Sequence, residues 1–215
     1  MKLLRNLLYM KLTPVTKALL SVALGLLLLP CPVQAEEGKA TVQDLVAIFA
    51  HWTGSTSDKD AYAKASEHID YKVMAERVLG PKRWDSLSSQ DKNDFIAAIR
   101  SLIESRYYPR WHRIFSRATI SYLSEQNSNR DILVRTRVKT GDSSENITWT
   151  VTKNDGIGKV ISLTVDERDL IQRASARFEK KLAKSNFRDF LTWMKKESQR
   201  NTSAGIDAKE EDSKN

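Results

Sequence analysis

The chain has 215 residues, with 35 Lys and Arg, 27 Asp and Glu, a single Cys and a formal net charge of +8. Four of the cations, Lys2, Arg5, Lys11 and Lys17, fall in the first 35 residues and no acid does. The remainder therefore carries 31 cations against 27 acids, a mild +4 whose natural counter-surface is anionic lipid or an acidic partner protein, and not nucleic acid. Cys31 lies in the same first segment, so residues 36–215 can form no disulfide, zinc-thiolate centre or cysteine nucleophile, and they are long enough to bury a core without them.

Residues 1–35 read as a secretory signal. A basic start precedes residues 18–29, which are apolar apart from Ser21 and Gly25; that run is too short for a span of about 20 residues. Pro30 and Pro32 break it, and Val33-Gln34-Ala35 supplies a peptidase site, so the expected mature chain begins at Glu36. A retained N-terminal anchor is the alternative. Pro30 is a poor fit to the small residue that precedes a lipidated cysteine.

After the cut, Thr41-Val42-Gln43-Asp44 has the pattern of a capping box, and Val42, Leu45, Ile48, Phe49 and Trp52 follow at helical spacing as far as Gly54. Beyond a polar break, Ile69-Asp70-Tyr71 leads into a helix carrying Val73, Met74, Val78 and Leu79, stopped by Gly80-Pro81 with a turn after it. Ser88 starts a long helix with Phe95, Ile99, Leu102 and Ile103 on one side, and Pro109 should break or kink it after Tyr107-Tyr108.

From residue 118 to 165 the period falls to two. Ile120 and Tyr122; Ile132, Val134 and Val138; Ile147, Trp149 and Val151; and Ile161, Leu163 and Val165 alternate with Ser, Thr, Arg and Lys. Thr140-Gly141-Asp142 and Asn154-Asp155-Gly156 provide turns between neighbours, which predicts an antiparallel meander with one apolar face. Residues 166–184 return to helix with Leu170, Ile171, Ala174, Phe178 and Leu182 on one side, and residues 187–194 add a short helix. Residues 198–215 are polar and charged, the composition of a disordered tail. The plan is thus a signal at 1–35, one domain at 36–197 and a tail at 198–215. The fold class is α+β: an antiparallel sheet of four or more strands with one face covered by N- and C-terminal helices.

Motifs for catalysis are absent. His51, His68 and His112 are dispersed without H-E-x-x-H, and there is no G-x-S-x-G, P-loop or G-x-G-x-x-G. Asp166-Glu167-Arg168-Asp169 opens a helix, where capping and the helix dipole favour carboxylates. No catalytic residue, metal or cofactor is expected. Two features hint at function. Arg110, Arg113 and Arg117 make a basic stripe beside Trp111, Ile114 and Phe115, suited to docking on a membrane or an acidic partner, although a solvated helix face has the same pattern. The apolar faces are also rich in large residues, Met74, Tyr107, Tyr108, Tyr122 and Trp149 among them, yet periodicity does not separate a filled core from a hollow one.

Ile69-Asp70-Tyr71-x-x-Met74-Ala75-x-x-Val78-Leu79-Gly80, followed by Trp84, Leu87-Ser88, Gln90, Phe95, Ile99, Leu102-Ile103 and Tyr107, resembles the MlaC or toluene-tolerance family. The resemblance continues more loosely through Leu170-Ile171, Phe178 and Phe187-x-x-Phe190-Leu191 and so covers most of residues 41–194. Three departures stand out. Ile157-Gly158-Lys159 replaces the usual tryptophan, Glu167-Arg168-Asp169-Leu170 replaces Gly-x-Ser-Leu, and Ala174 and Ser175 replace a tyrosine and an arginine. They leave the fold reading intact and bear on the particular partner and lipid.

The resemblance implies a monomeric periplasmic phospholipid carrier working between an inner-membrane ABC lipid-transport complex and an outer-membrane lipoprotein-porin complex, in outer-membrane lipid asymmetry and solvent tolerance. It further implies that the apolar faces enclose a lipid cavity. Met74, Val78, Ile99, Leu102, Ile103 and Tyr107 would line it from the helices; Ile120, Tyr122, Val134, Trp149, Val151 and Leu163 would line it from the sheet. Alternatives are a hopanoid-associated relative, an enzyme or small-ligand-binding protein on a cone-like α+β fold using Asp70, Tyr107 or His112, and a structural envelope subunit with a filled core.

Overall fold

The alternating stretch folds as predicted into four long strands, β1 (Thr119–Ser128), β2 (Asp131–Thr140), β3 (Ser143–Asn154) and β4 (Ile157–Val165), antiparallel and adjacent in chain order. A two-residue strand, β5 (Arg168–Asp169), adds to the far side of β4. The computed structural model describes residues 37–55, 58–154 and 157–200, so the expected signal segment, the Asp155-Gly156 turn and the tail beyond residue 200 lie outside the described residues. Register pairs Val134 with Trp149 and Trp149 with Leu163, which gathers Ile132, Val134, Val138, Ile147, Trp149, Val151 and Leu163 on one buried face. Asn129 (φ 53°) and Gly141 (φ 59°) take the left-handed conformations that tight hairpins require.

Helix α1 (Glu37–His51) covers that face. It can lie close because residue 38 is glycine: a Cβ there would sit 2.7 Å from Ile132 Cγ2 and 3.0 Å from Val134 Cγ2. Residue 41 was expected as the cap of this helix, but the helix starts four residues earlier. The Thr41 hydroxyl instead donates to the Glu37 carbonyl (3.0 Å) and, across the interface, is 3.2 Å from the Gly158 carbonyl. Its polar group thereby joins helix to sheet within a buried contact.

Helix α2 (Lys59–Glu67) is capped by Asp58, and α3 (Tyr71–Leu79) by Asp70, whose carboxylate accepts from Val73 N at 2.9 Å. After Gly80, at φ 74°, the chain does not simply turn: Pro81 starts the six-residue α4 (Pro81–Ser86). Helix α5 (Ser89–Arg106) begins at Ser88 as expected, and Pro109 interrupts the helical run only at Tyr107, after which α6 (Tyr108–Phe115) continues. The stretch from residue 166 is not helical at once. Asp166 and Glu167 have φ of 48° and 64° and form the turn into β5, and α7 (Leu170–Leu182) follows with Asp169 as its cap. The last helix, α8 (Phe187–Arg200), runs past the expected end; Ser198 is buried, its hydroxyl donating to the Lys195 carbonyl. The architecture is α+β, with its core between the sheet and the helices.

Candidate functional site: an apolar cavity at the sheet edge

The site begins with an irregularity in β4. Thr150 pairs with Ser162 and Val151 with Val160, so Ile161 is an extra residue in the ladder, a bulge. A bulge re-aims side chains, and here Val160, Ile161, Ser162 and Leu163 are all buried in succession instead of alternating. Beside the bulge the strand edge is closed by the segment before α3: Val160 N donates to the His68 carbonyl (2.8 Å) and Asp70 N to the Val160 carbonyl (3.1 Å). This anchors α3 against β4, and Met74 and Val78, one helical turn apart, face the bulge.

Around them lies a cavity of about 70 Å³. Its walls are Met74 and Val78 from α3; Ile99, Leu102 and Ile103 from α5 with Tyr107; Trp111 from α6; residues 160–163 of β4; and Leu170, Ile171, Ala174 and Phe178 from α7. Side-chain polar groups enter the wall only through Tyr107, Ser162 and the indole of Trp111. The Ser162 hydroxyl is already used, donating to Asp169 Oδ2 at 2.7 Å. Leu102, Ile103 and Tyr107 on one side and Leu170, Ile171 and Ala174 on the other are half-buried, so the α5–α7 gap is the solvent side of the cavity.

Helix α7 is held at both ends. Asp169 accepts from Gln172 N (2.9 Å), Ser162 Oγ (2.7 Å) and Thr164 Oγ1 (3.3 Å), which ties the start of the helix to β4. At its other end Phe178 packs edge-on to Phe190 (5.2 Å between ring centres) and Phe95 (6.2 Å), so α8 and α5 brace it. A second polar knot holds the inner helices: the Tyr71 and Tyr108 hydroxyls lie 2.6 Å apart, with Ser66 bridging to Glu104 (3.1 Å) and Arg100 donating to Glu104 (2.6 Å). Burial, above all, raises the pKa of both tyrosines.

The expected lining residues divide into two groups. Met74, Val78, Ile99, Leu102, Ile103, Tyr107 and Leu163 come together around this cavity. Ile120, Tyr122, Val134, Trp149 and Val151 do not. Val134, Trp149 and Val151 are fully buried under α1 and α6, and Phe115 lies 5.9 Å from the Trp149 ring. The Trp149 indole N–H donates to Thr136 Oγ1 at 3.0 Å, so that polar group is spent inside the core. Ile120 and Tyr122 share the same face at the half-buried edge strand β1. The physical reason is Gly38: it lets α1 settle onto the middle of the sheet and displaces the open space to the β4 edge. Of the other wall residues, Val160 carries no signal in the sequence, Trp111 reads as a neighbour of the basic stripe and Ile161 as part of the sheet's apolar face, while Leu170, Ile171, Ala174 and Phe178 read only as the apolar side of a covering helix. The i, i+1, i+4, i+8 stripe of α7 was their visible signal, but nothing local told cover from cavity wall.

Asp70, Tyr107 and His112 have separate duties. Asp70 caps α3, Tyr107 is in the cavity wall, and His112 Nδ1 is 2.9 Å from the Phe49 carbonyl. Arg110, Arg113 and Arg117 are exposed on or just after α6, whereas Trp111 and Phe115 beside them are buried, so the basic stripe has no apolar face to insert into a bilayer. Among the described residues no helix is long and apolar enough to cross a membrane, and no cluster of His, Cys, Asp or Glu could hold a metal ion.

Comparison with known proteins adds three findings. No curated protein matches the chain significantly by sequence. Among solved structures, the phospholipid-binding protein from Ralstonia solanacearum, in complex with a phospholipid, is similar with a TM-score of 0.66 over 76% of this chain and 95% of that one, at 14% identity; that likeness concerns the fold. The sequence profile of the family described as MlaC protein matches residues 53–196, which run from just after α1 through most of α8 and include every element that walls the cavity. With that match spanning well over half of the sequence, the chain belongs to the MlaC family.

Proposed function

We propose that this protein is a periplasmic phospholipid carrier, moving lipid between outer- and inner-membrane transport complexes without itself catalysing a reaction. The observation that carries the reading is the apolar cavity at the β4 edge, with its walls of aliphatic side chains and its solvent side between α5 and α7. Family membership and the fold shared with a phospholipid-binding protein support it. The physics requires such an escort. A diacyl lipid has on the order of 30 methylenes, and at about 0.8 kcal/mol each their exposure to water would cost roughly 20 kcal/mol or more.

At about 70 Å³ the cavity is well below the roughly 300–1,000 Å³ of ordinary ligand pockets, so loading acyl chains requires the walls to part. The α5–α7 gap is the natural place. Helix α7 rests on α3 and β4, α5 rests mainly on α8 and α3, and the two meet at Phe178 and Phe95, so beyond that contact the walls can separate without unzipping the sheet. Such an opening matches a carrier that must take up and release cargo.

The test is organic extraction of purified protein followed by lipid mass spectrometry, with transfer of a labelled phospholipid between donor and acceptor vesicles as the functional readout. Stoichiometric phospholipid and protein-dependent transfer are expected. A protein that carries no lipid and accelerates no transfer would exclude the carrier reading.

A further inference from the structure

The sheet has a second face, and its charge is one-sided. On β2 the side chains that leave the core face are those of Asp131, Leu133, Arg135, Arg137 and Lys139. Asp131 is paired with Arg77 at 2.7 Å and Leu133 is half-buried, but the other three are exposed cations in a row. Arg137 donates to Asn146 Oδ1 at 3.3 Å, and no carboxylate among the described residues pairs with any of the three. Their cross-strand neighbours are Thr119, Ser121 and Ser124 on β1 and Ser144, Asn146 and Thr148 on β3, all uncharged hydrogen-bonding groups. Glu125 on β1 and Glu145 on β3 stand opposite Val134 and Val138, on the other parity, and Asp142 lies in the β2–β3 turn.

Alternate residues on a strand are roughly 6.8 Å apart, inside the Debye length of about 8–10 Å at ordinary salt, so these three charges repel one another. Some arginines elsewhere on the protein are neutralised, as in Arg77–Asp131, Arg100–Glu104 and Arg177–Glu197, whereas Arg110, Arg113 and Arg117 on or just after α6 share with the β2 row the lack of a carboxylate partner among the described residues. A row left unneutralised on an exposed sheet face, with hydroxyl and amide groups between the charges, is complementary to a surface dense in phosphates.

We infer that the outer face of the sheet, through Arg135, Arg137 and Lys139, docks the protein on an anionic phospholipid bilayer. A protein partner is disfavoured by how little the face offers of the aromatic anchors that dominate protein interfaces: beside the row, the one large apolar side chain exposed among the described residues of β1 and β2 is Leu123, at the β1 bulge next to Ser124. The attachment is electrostatic, additive and reversible, as a protein that must leave the membrane again requires. It uses a surface distinct from the cavity residues, so it stands or falls separately from the cargo reading.

The experiment is co-sedimentation of the purified protein with neutral phosphatidylcholine vesicles and with vesicles that also contain phosphatidylglycerol, at low and at moderate salt, with bound lipid cargo measured on the same samples. Wild-type protein should bind only the anionic vesicles, and salt should weaken binding. Each cation is worth roughly fivefold, so R135Q/R137Q/K139Q should lose on the order of a hundredfold and the Glu reversal more, with cargo and fold unchanged. R135K/R137K should keep binding within a few fold, because point charge suffices. R110E/R113E/R117E should lose less than the β2 variants. Three results would overturn the inference: no binding to anionic vesicles at low salt, β2 variants that bind like wild type, or capture by a polyglutamate surface without binding to phosphatidylglycerol vesicles. The last would assign the row to an acidic protein.

Discussion

Placing the cavity at the β4 edge, and not under the middle of the sheet, makes a prediction that separates two positions. Gly38→Val puts a Cβ 2.7 Å from Ile132 Cγ2 and 3.0 Å from Val134 Cγ2. Carbon atoms prefer about 3.5–4.0 Å, so α1 must lift or the two strand residues must move. Both are fully buried in close-packed surroundings, and overpacking of this kind costs about 1–3 kcal/mol. At roughly 2–4 °C per kcal/mol for a domain of this size, the melting temperature should fall by about 2–12 °C. Valine gains little in helix propensity over glycine and does not cancel the loss. Ala174→Trp instead projects into the cavity from its half-buried α7 wall and should displace acyl chains.

The assay is lipid content by mass spectrometry together with thermal melting monitored by circular dichroism after delipidation, which removes the stability that bound ligand adds. Gly38→Val should retain lipid and melt lower, and Ala174→Trp should lose lipid and melt within a few degrees of wild type. The opposite pattern, with lipid lost in Gly38→Val and kept in Ala174→Trp, would put the ligand beneath α1 and refute the assignment.

Other expectations follow from single groups. Thr136→Val leaves the buried Trp149 indole N–H without its acceptor and should cost about 1–3 kcal/mol in urea unfolding, while Thr136→Ser should recover most of it; equal stability of Val and wild type would mean the bond is not needed. Asp169→Ala removes the α7 cap and the acceptor for Ser162 and Thr164, which should destabilise by at least the roughly 0.5–2 kcal/mol of an ordinary cap and speed amide exchange in the first turn of α7; unchanged exchange there would argue against Asp169 as the tie to β4.

Burial raises the pKa of Tyr71 and Tyr108 above the value of about 10 they would have when unfolded, so their contribution to stability is complete below that pH and is lost as pH rises beyond it, where only the unfolded chain ionises. Ultraviolet difference spectra should therefore show tyrosinate from these two residues only as the protein unfolds; ionisation of both near pH 10 in the folded protein would count against the buried pair.

Most of the elements and the identity of the core face are legible in the sequence, although α4 and β5 are not. Two-residue alternation from 118 to 165 marked Ile132, Val134, Ile147, Trp149 and Val151 as one side of a sheet, because in a strand parity alone assigns the face. Ser88 and Gly80 marked helix limits through capping and positive φ, both local properties of the chain. Family membership was also legible, from the order and spacing of apolar and turn residues between Ile69 and Leu191. Which buried residues face a cavity is settled by three-dimensional packing alone. A cavity wall and a packed core have the same apolar character, so periodicity records that a side chain leaves water and not what it meets. The meeting partners were set by how elements pack and pair: Gly38 admitting α1 onto Ile132 and Val134, the Ile161 bulge turning four successive β4 residues inward, and Asp169 fastening α7 to β4. Gly38 meets residues distant in the chain, the bulge changes a register, and Asp169, though only seven residues from Ser162, reaches back across the β4–β5 turn; none of the three can be read from periodicity.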